Sequence, residues 1–275
     1  MKMYQVDAFS QNLFKGNPAA VIINDEWLSD TLMQQIAQEN NLAETAFLKK
    51  RDQQNYEIRW FTPMVEVDFC GHATLASAAV LFEQYQVASP LYFQVKNLGT
   101  FTIQRMQDGK ICMDFPQRKP EKLVHYPAML HDMIDVPFSE VYVNEQAYIL
   151  LCDSAADVLN AKPNLSKIQQ LAHEHYKSTS ITANNLDLTL TSSSEQYDYV
   201  ARYFAPHKGI DEDPVTGSMH TGLAPLWAEK LAKNELVAYQ ASKRGGQIYC
   251  RIKDEQRIEI AGYAKLYMVA DIFVD

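Results

Sequence analysis

The 275-residue chain has only four cysteines. Cys70, Cys112, Cys152 and Cys250 are scattered, with no CxxC pair. That spacing fits reduced thiols in a cytoplasmic protein better than a disulfide framework. Clusters of Lys or Arg are missing, and the formal net charge is −9. Nucleic acid is therefore not an expected partner, because phosphate binding needs a basic surface. No apolar run approaches the roughly 18–20 residues of a membrane helix. The alternating start, Met1-Lys-Met-Tyr-Gln-Val-Asp-Ala-Phe9, reads as a first strand and not as a signal peptide. HExxH, the P-loop and GxGxxG are all absent. Zinc hydrolysis, nucleotide hydrolysis and a Rossmann cofactor are discounted accordingly. His173 and His175, at i and i+2, cannot chelate one ion from a helix. The expectation is no metal and no cofactor.

An internal repeat is present. Arg59-Trp-Phe-Thr-Pro63 matches Arg202-Tyr-Phe-Ala-Pro206 position for position. Gly71 follows the first copy and Gly217 the second, and each precedes an apolar run, Leu75–Phe82 and Leu223–Leu231. Each copy predicts a strand, a turn and a helix opened by glycine. Such a helix start offers bare N–H groups and a dipole that favours an anion. A duplicated unit implies two lobes related by an approximate two-fold axis, with the two helix starts suited to holding a small carboxylate.

Strands are expected from Tyr4, Ala19, Thr45, Tyr56, Leu91, Gly99 and Ile111 in the first lobe, with a helix from the cap Ser29 to about Asn40. The second lobe shows strands near Glu140, Ala147, Ser180, Leu186, Val237, Gln247 and Arg257, and a helix from Ser166 to about His175. A last strand from Leu266 is placed back with the first lobe. The pattern is α+β. The lobe boundaries are expected at residues 1–117, completed by 264–275, and 118–263.

Glu44 begins a strand among apolar and small neighbours, so it is either a surface carboxylate or a buried one suited to proton transfer. His72 sits at a helix start, where it is either a structural cap or a neutral, hydrogen-bonding imidazole favoured by the dipole. Asp213 either receives a substrate group or forms the turn before Pro214. Ser218 either donates to an anion or caps its helix.

Together these segments resemble the PhzF-like isomerase family of phenazine biosynthesis. The segments are Asp7-Ala-Phe9 with Gly16-Asn-Pro18, Asn41-Leu-Ala-Glu-Thr45, Phe61-Thr-Pro63, Cys70-Gly-His-Ala-Thr74 and Glu212-Asp-Pro-Val-Thr-Gly-Ser218. They follow the family's order over nearly the whole chain. The resemblance implies the diaminopimelate-epimerase-like fold: two pseudo-symmetric lobes, each a curved, mostly antiparallel sheet or barrel around a central helix, with the active site between them. It places the proton-shuttling glutamate at Glu44. It places substrate contacts at Gly71, His72, Asp213, Gly217 and Ser218. It further implies a cofactor-independent isomerase acting on a small carboxylic acid, a homodimer, and no membrane or nucleic-acid partner. Amino-acid epimerisation by two thiols is an alternative. It fits Cys70-Gly71 but not Thr216-Gly217, since threonine is far too weak an acid. A non-catalytic protein that holds a small acid is another.

Overall fold

The computed structural model describes residues 1–178, 180–254 and 256–274. The chain divides into two compact units, Met1–Asp114 with Glu259–Asp275, and Phe115–Ile258.

In the first unit, β1 (Lys2–Ala8) pairs antiparallel with β2 (Asn17–Asn24), and β2 pairs parallel with β3 (Glu44–Lys50). The parallel connection is made by α1 (Asp30–Asn40). Ser29 caps this helix by accepting the Leu32 N–H, and Asn41 closes it in the left-handed region. That assignment follows from cap chemistry: a hydroxyl satisfies a leading amide, and Asn tolerates positive φ. The strand β4 (Asn55–Phe61) runs antiparallel to β3, with the two-residue β5 (Glu66–Val67) beside its end. Next comes α2 (Gly71–Glu83). The chain then returns as β6 (Leu91–Val95) parallel to β4, continuing antiparallel into β7 (Gly99–Arg105) and from there into β8 (Ile111–Pro116). The last strand of the chain, Ala264–Asp271, lies antiparallel to β1 on the edge away from β2.

Every residue of α2 from Gly71 to Phe82 is buried. A helix that is apolar all round has no solvent face and must be enclosed. Its neighbours are β1, β2, β3 and the last strand. Ala73, Ala76, Ala78 and Ala79 let those strands approach closely, while Ser77 and Thr74 return their hydroxyls to the carbonyls of Ala73 and Cys70. Gly16 makes the turn into β2. Its φ is +67°, and a Cβ there would collide with the Ala8 carbonyl, so only glycine fits.

The second unit repeats this order of pairings. It opens with β9 (Glu121–Leu123) antiparallel to β10 (Phe138–Val143). Then β10 pairs antiparallel with β11 (Ala147–Cys152), and β11 pairs parallel with β14 (Asp187–Ser193). Between these come α3 (Ala155–Asn160), α4 (Leu165–Ile168), a 3-10 turn over Gln169–His173, and the small ribbon of β12 (His175–Lys177) and β13 (Thr182–Asn184). The strand β15 (Tyr199–Phe204) is antiparallel to β14. The chain then passes through α5 (Gly217–Leu231) and returns as β16 (Glu235–Gln240), parallel to β15, followed by antiparallel β17 (Gly246–Ile252). Chain order then gives β18 (Arg257–Gly262) and the closing strand β19 (Ala264–Asp271).

Thus β4–α2–β6 and β15–α5–β16 are the same motif: a strand, a glycine-opened helix and a parallel return. Arg59 and Arg202 lie on the corresponding strands, and Gly71 and Gly217 open the corresponding helices. The fold is α+β, each unit a mostly antiparallel sheet with a central buried helix. Two expectations need correction. The helix expected from Ser166 to His175 is one turn of α-helix followed by 3-10 geometry, with His175 in a strand. The strand expected at Ser180–Thr182 begins at Thr182. Among the described residues, no helix is long and apolar enough to cross a membrane.

Candidate active site

In the first unit the site forms where β2, β3 and α2 begin. Glu44 opens β3 opposite Ala19 of β2, and it is 9% exposed, so the surface-carboxylate alternative is excluded. Its Oε2 stands 3.0 Å from His72 Nε2, in the first turn of α2. The two atoms are within ion-pair distance. At the other edge of the same ring, Nδ1 has the Asn17 side-chain amide at 3.1 Å and Cys70 Sγ at 3.4 Å. The Gly16-Asn-Pro18 segment therefore has a local purpose: the glycine turn delivers Asn17 to the imidazole.

Burial by itself disfavours a charged His72. The Cys70 sulfur and the Glu44 carboxylate on its two edges outweigh that, and they hold the imidazole well above its ordinary range. Against the neutral ring expected from the helix dipole stand the neighbours on its two edges. Cys70 is itself pushed up, first by burial and then by Glu44. Glu44, Cys70 and His72 also present ligand atoms within 4.8 Å of one another. Glu44 faces one nitrogen of the ring and Cys70 the other.

In the second unit, Asp213, Thr216, Gly217 and Ser218 form the turn into α5. Asp213 is 9% exposed, and its Oδ2 accepts the Thr216 hydroxyl. The turn is clamped by Gln240 at the end of β16. Its Oε1 accepts the Thr216 N–H at 2.7 Å, and its Nε2 donates to the Asp213 carbonyl at 2.8 Å. Ser242 Oγ donates to the Pro214 carbonyl at 2.8 Å. Arg202 holds Glu212 through two nitrogens at 2.7 and 3.0 Å. Ser218 Oγ accepts from Gln146 Nε2 at 3.0 Å. Neither helix has a side-chain cap at its leading amides: Cys70 occupies the cap of α2, and the Thr216 hydroxyl of α5 is turned to Asp213.

Glu44, Gly71 and His72 are therefore brought together in one unit, and Asp213, Gly217 and Ser218 in the other. Sequence reasoning missed Asn17, Gln240 and Gln146. Asn17 lay within a segment already singled out. The two glutamines come from strand ends remote in sequence, and no local pattern marks them.

Residues 6–270 match the family described as phenazine biosynthesis-like protein. An uncharacterized isomerase of Pseudomonas aeruginosa is 40% identical over 268 residues, covering 98% of this chain and 97% of that protein. The crystal structure of an Enterococcus faecalis protein of the PhzF family is similar at 36% identity with a TM-score of 0.89, covering 99% of each chain. Likeness of fold alone extends to a hydroxyproline epimerase from Agrobacterium vitis, at 9% identity and a TM-score of 0.61, covering 98% of this chain and 91% of that one.

Proposed function

Since this chain belongs to the phenazine biosynthesis-like family and is an isomerase, we propose that it moves a proton within a small carboxylic acid by acid–base catalysis through Glu44. The observation that carries this reading is the buried Glu44 carboxylate 3.0 Å from His72 Nε2. A carboxylate has lone pairs beyond the one that faces His72, so Glu44 keeps acceptor capacity for a substrate proton. Glu44 takes a proton from an acidic C–H, exchanges it with solvent while the intermediate is held, and returns a proton at another position, so one carboxylate within reach of both carbons suffices. His72 and Asp213 hold polar groups of the substrate, with the imidazole supplying a positive donor where negative charge develops. The helix starts at Gly71 and at Gly217–Ser218 hold carboxylate oxygens. A panel of small unsaturated and cyclic carboxylic acids incubated in heavy water with the enzyme, read by mass spectrometry, identifies the substrate. At least one acid should gain a deuteron, and a panel in which none exchanges or isomerises would count against the assignment.

The epimerase reading is favoured by Cys70 at the cap of α2. The corresponding cap of α5 is Thr216, and the Cys70 thiol is pushed up by burial. We therefore expect Cys70→Ser to keep turnover within a few-fold of wild type. A folded variant with no turnover would revive a thiol mechanism.

A second copy of the chain is the partner this reading favours. Phe14, Tyr267 and Val269 are exposed at 65%, 46% and 46%, and Phe14 packs edge-on against Tyr267 with ring centroids 5.7 Å apart. Tyr267 and Val269 lie two residues apart on β19 and so share a face. A contiguous apolar face of this kind marks an interaction surface. Sedimentation velocity should give twice the chain mass for wild type and the chain mass for Val269→Lys. A monomeric wild type at micromolar concentration would contradict it.

A further inference from the structure

Asp187 on β14 is a fully buried carboxylate in the second unit. It meets Lys208 Nζ at 2.6 Å, His207 Nε2 at 3.4 Å and the Tyr203 hydroxyl. Tyr203 donates its hydroxyl to Asp187 and is left as an acceptor. Gln146 Nε2 fills that acceptor at 2.7 Å, and the same nitrogen reaches Ser218 Oγ at 3.0 Å. On the other side of the amide, Gln146 Oε1 accepts from Arg118 Nη1 at 3.2 Å.

The amide orientation is fixed twice over. The guanidinium offers donors alone, and the Tyr203 proton is committed to Asp187, so a flipped amide would face like against like at both ends. The turn that carries Gln146 is fixed as well. Asn144 Oδ1 accepts the N–H groups of Gln146 and Ala147, each at 2.9 Å. A Cβ on Gly222 of α5 would collide with Asn144 Nδ2, so the turn is pressed onto the helix whose first turn bears Ser218. The Ser218 oxygen thus receives an N–H and keeps its own proton for another acceptor.

We propose that Gln146 is a positioning residue: held by Arg118 and by the Tyr203–Asp187 pair, it makes Ser218 a committed hydrogen-bond donor to an anionic group at the start of α5. This rests on the reading of Ser218 as a substrate contact given above. Without the Gln146 N–H, the Ser218 hydroxyl turns to acceptors inside the protein for part of the time, and the anion loses a donor.

The test is a double-mutant cycle with benzoate as a monocarboxylate probe, titrated calorimetrically into the full-length protein. Ser218→Ala should raise the Kd about tenfold, the value of one hydrogen bond to a charged group. Gln146→Met, which keeps length and removes the N–H, should raise it about fivefold in the wild-type background and less than about twofold in the Ser218→Ala background. A merely structural role would give equal factors in both backgrounds, and that result would overturn the proposal. Tyr203→Phe keeps the ring and frees one end of the amide. It should show the same dependence on Ser218, and it carries the cycle if Gln146→Met does not fold. Wild-type protein that binds no benzoate, or binds it with an affinity Ser218→Ala leaves unchanged, overturns the anion site itself and this inference with it. Binding weakened by Ser218→Ala with no coupling to Gln146 or Tyr203 overturns this inference alone.

Discussion

Glu44→Gln should lower turnover by roughly 10²–10⁴-fold, the usual contribution of a positioned proton-transfer group, while leaving the fold and carboxylate binding in place. Gln has the shape of Glu and keeps an oxygen to face His72 Nε2, so the first turn of α2 and the start of β3 retain their packing. What is lost is basicity. The variant should therefore show the loss in kcat with KM little changed, because an interaction made in the transition state has been removed. A loss confined to KM would assign Glu44 to binding. Turnover at the wild-type rate would remove it from the mechanism. Asp213 is the informative comparison. Its Oδ2 accepts the Thr216 hydroxyl, and its turn is held by Gln240. Asp213→Asn therefore disturbs a structural turn as well as a ligand contact, and its effect is less cleanly read.

The second large effect is on stability in acid. His220 lies on α5, fully buried, with its Nδ1 2.8 Å from the Tyr199 hydroxyl. Burial pushes its pKa down to about 3, with the Gln240 side chain pulling the other way. The unfolded chain holds this histidine near its ordinary value of about 6.5. Below that value the unfolded state takes up a proton that the folded state refuses. Stability is therefore fully present above about pH 6.5 and falls as pH drops toward 3. Between pH 7 and 4.5 this one residue should cost about 2.5 kcal/mol, a large share of the marginal stability of a typical domain. Urea unfolding of wild type and His220→Gln at both pH values tests this. The variant should lose about 2.5 kcal/mol less than wild type across that interval. Equal losses would mean that His220 is protonated in the fold. The shift at His72 has the opposite sign: its stabilisation is present below about pH 6.5 and is lost as pH rises through its elevated folded value. Because both proteins carry His72, it cancels in the comparison.

Much of this was legible from particular residues. Ser29 predicted the start of α1 because a hydroxyl before an apolar periodic run has one good use, and it accepts the Leu32 N–H. Gly71 and Gly217 predicted the starts of α2 and α5, and the repeat of aromatic strand, proline and glycine reported the repeated strand–helix–strand motif. Other features were hidden for physical reasons. The single-turn α4 and the six-residue α3 are too short for periodicity to show, and packing against the hydrophobic core of the second unit decides their form. At His72 local position reports the helix dipole and the nearby Cys70, while Glu44 is brought in by a different strand. Gln240 and Gln146 were invisible for the same reason. Their sequence neighbours are ordinary, and their value lies in what the fold sets against them.

The central claim is that Glu44 carries the proton, and the most direct measurement is deuterium uptake in heavy water with wild type and Glu44→Gln side by side. The reactive acid found in the carboxylate panel is incubated with each enzyme, and product and recovered substrate are analysed by mass spectrometry over time. Wild type should place a single solvent deuteron in the product, and Glu44→Gln should slow that incorporation by at least about 100-fold while still binding the acid. A Glu44→Gln enzyme that incorporates deuterium as fast as wild type would contradict the account.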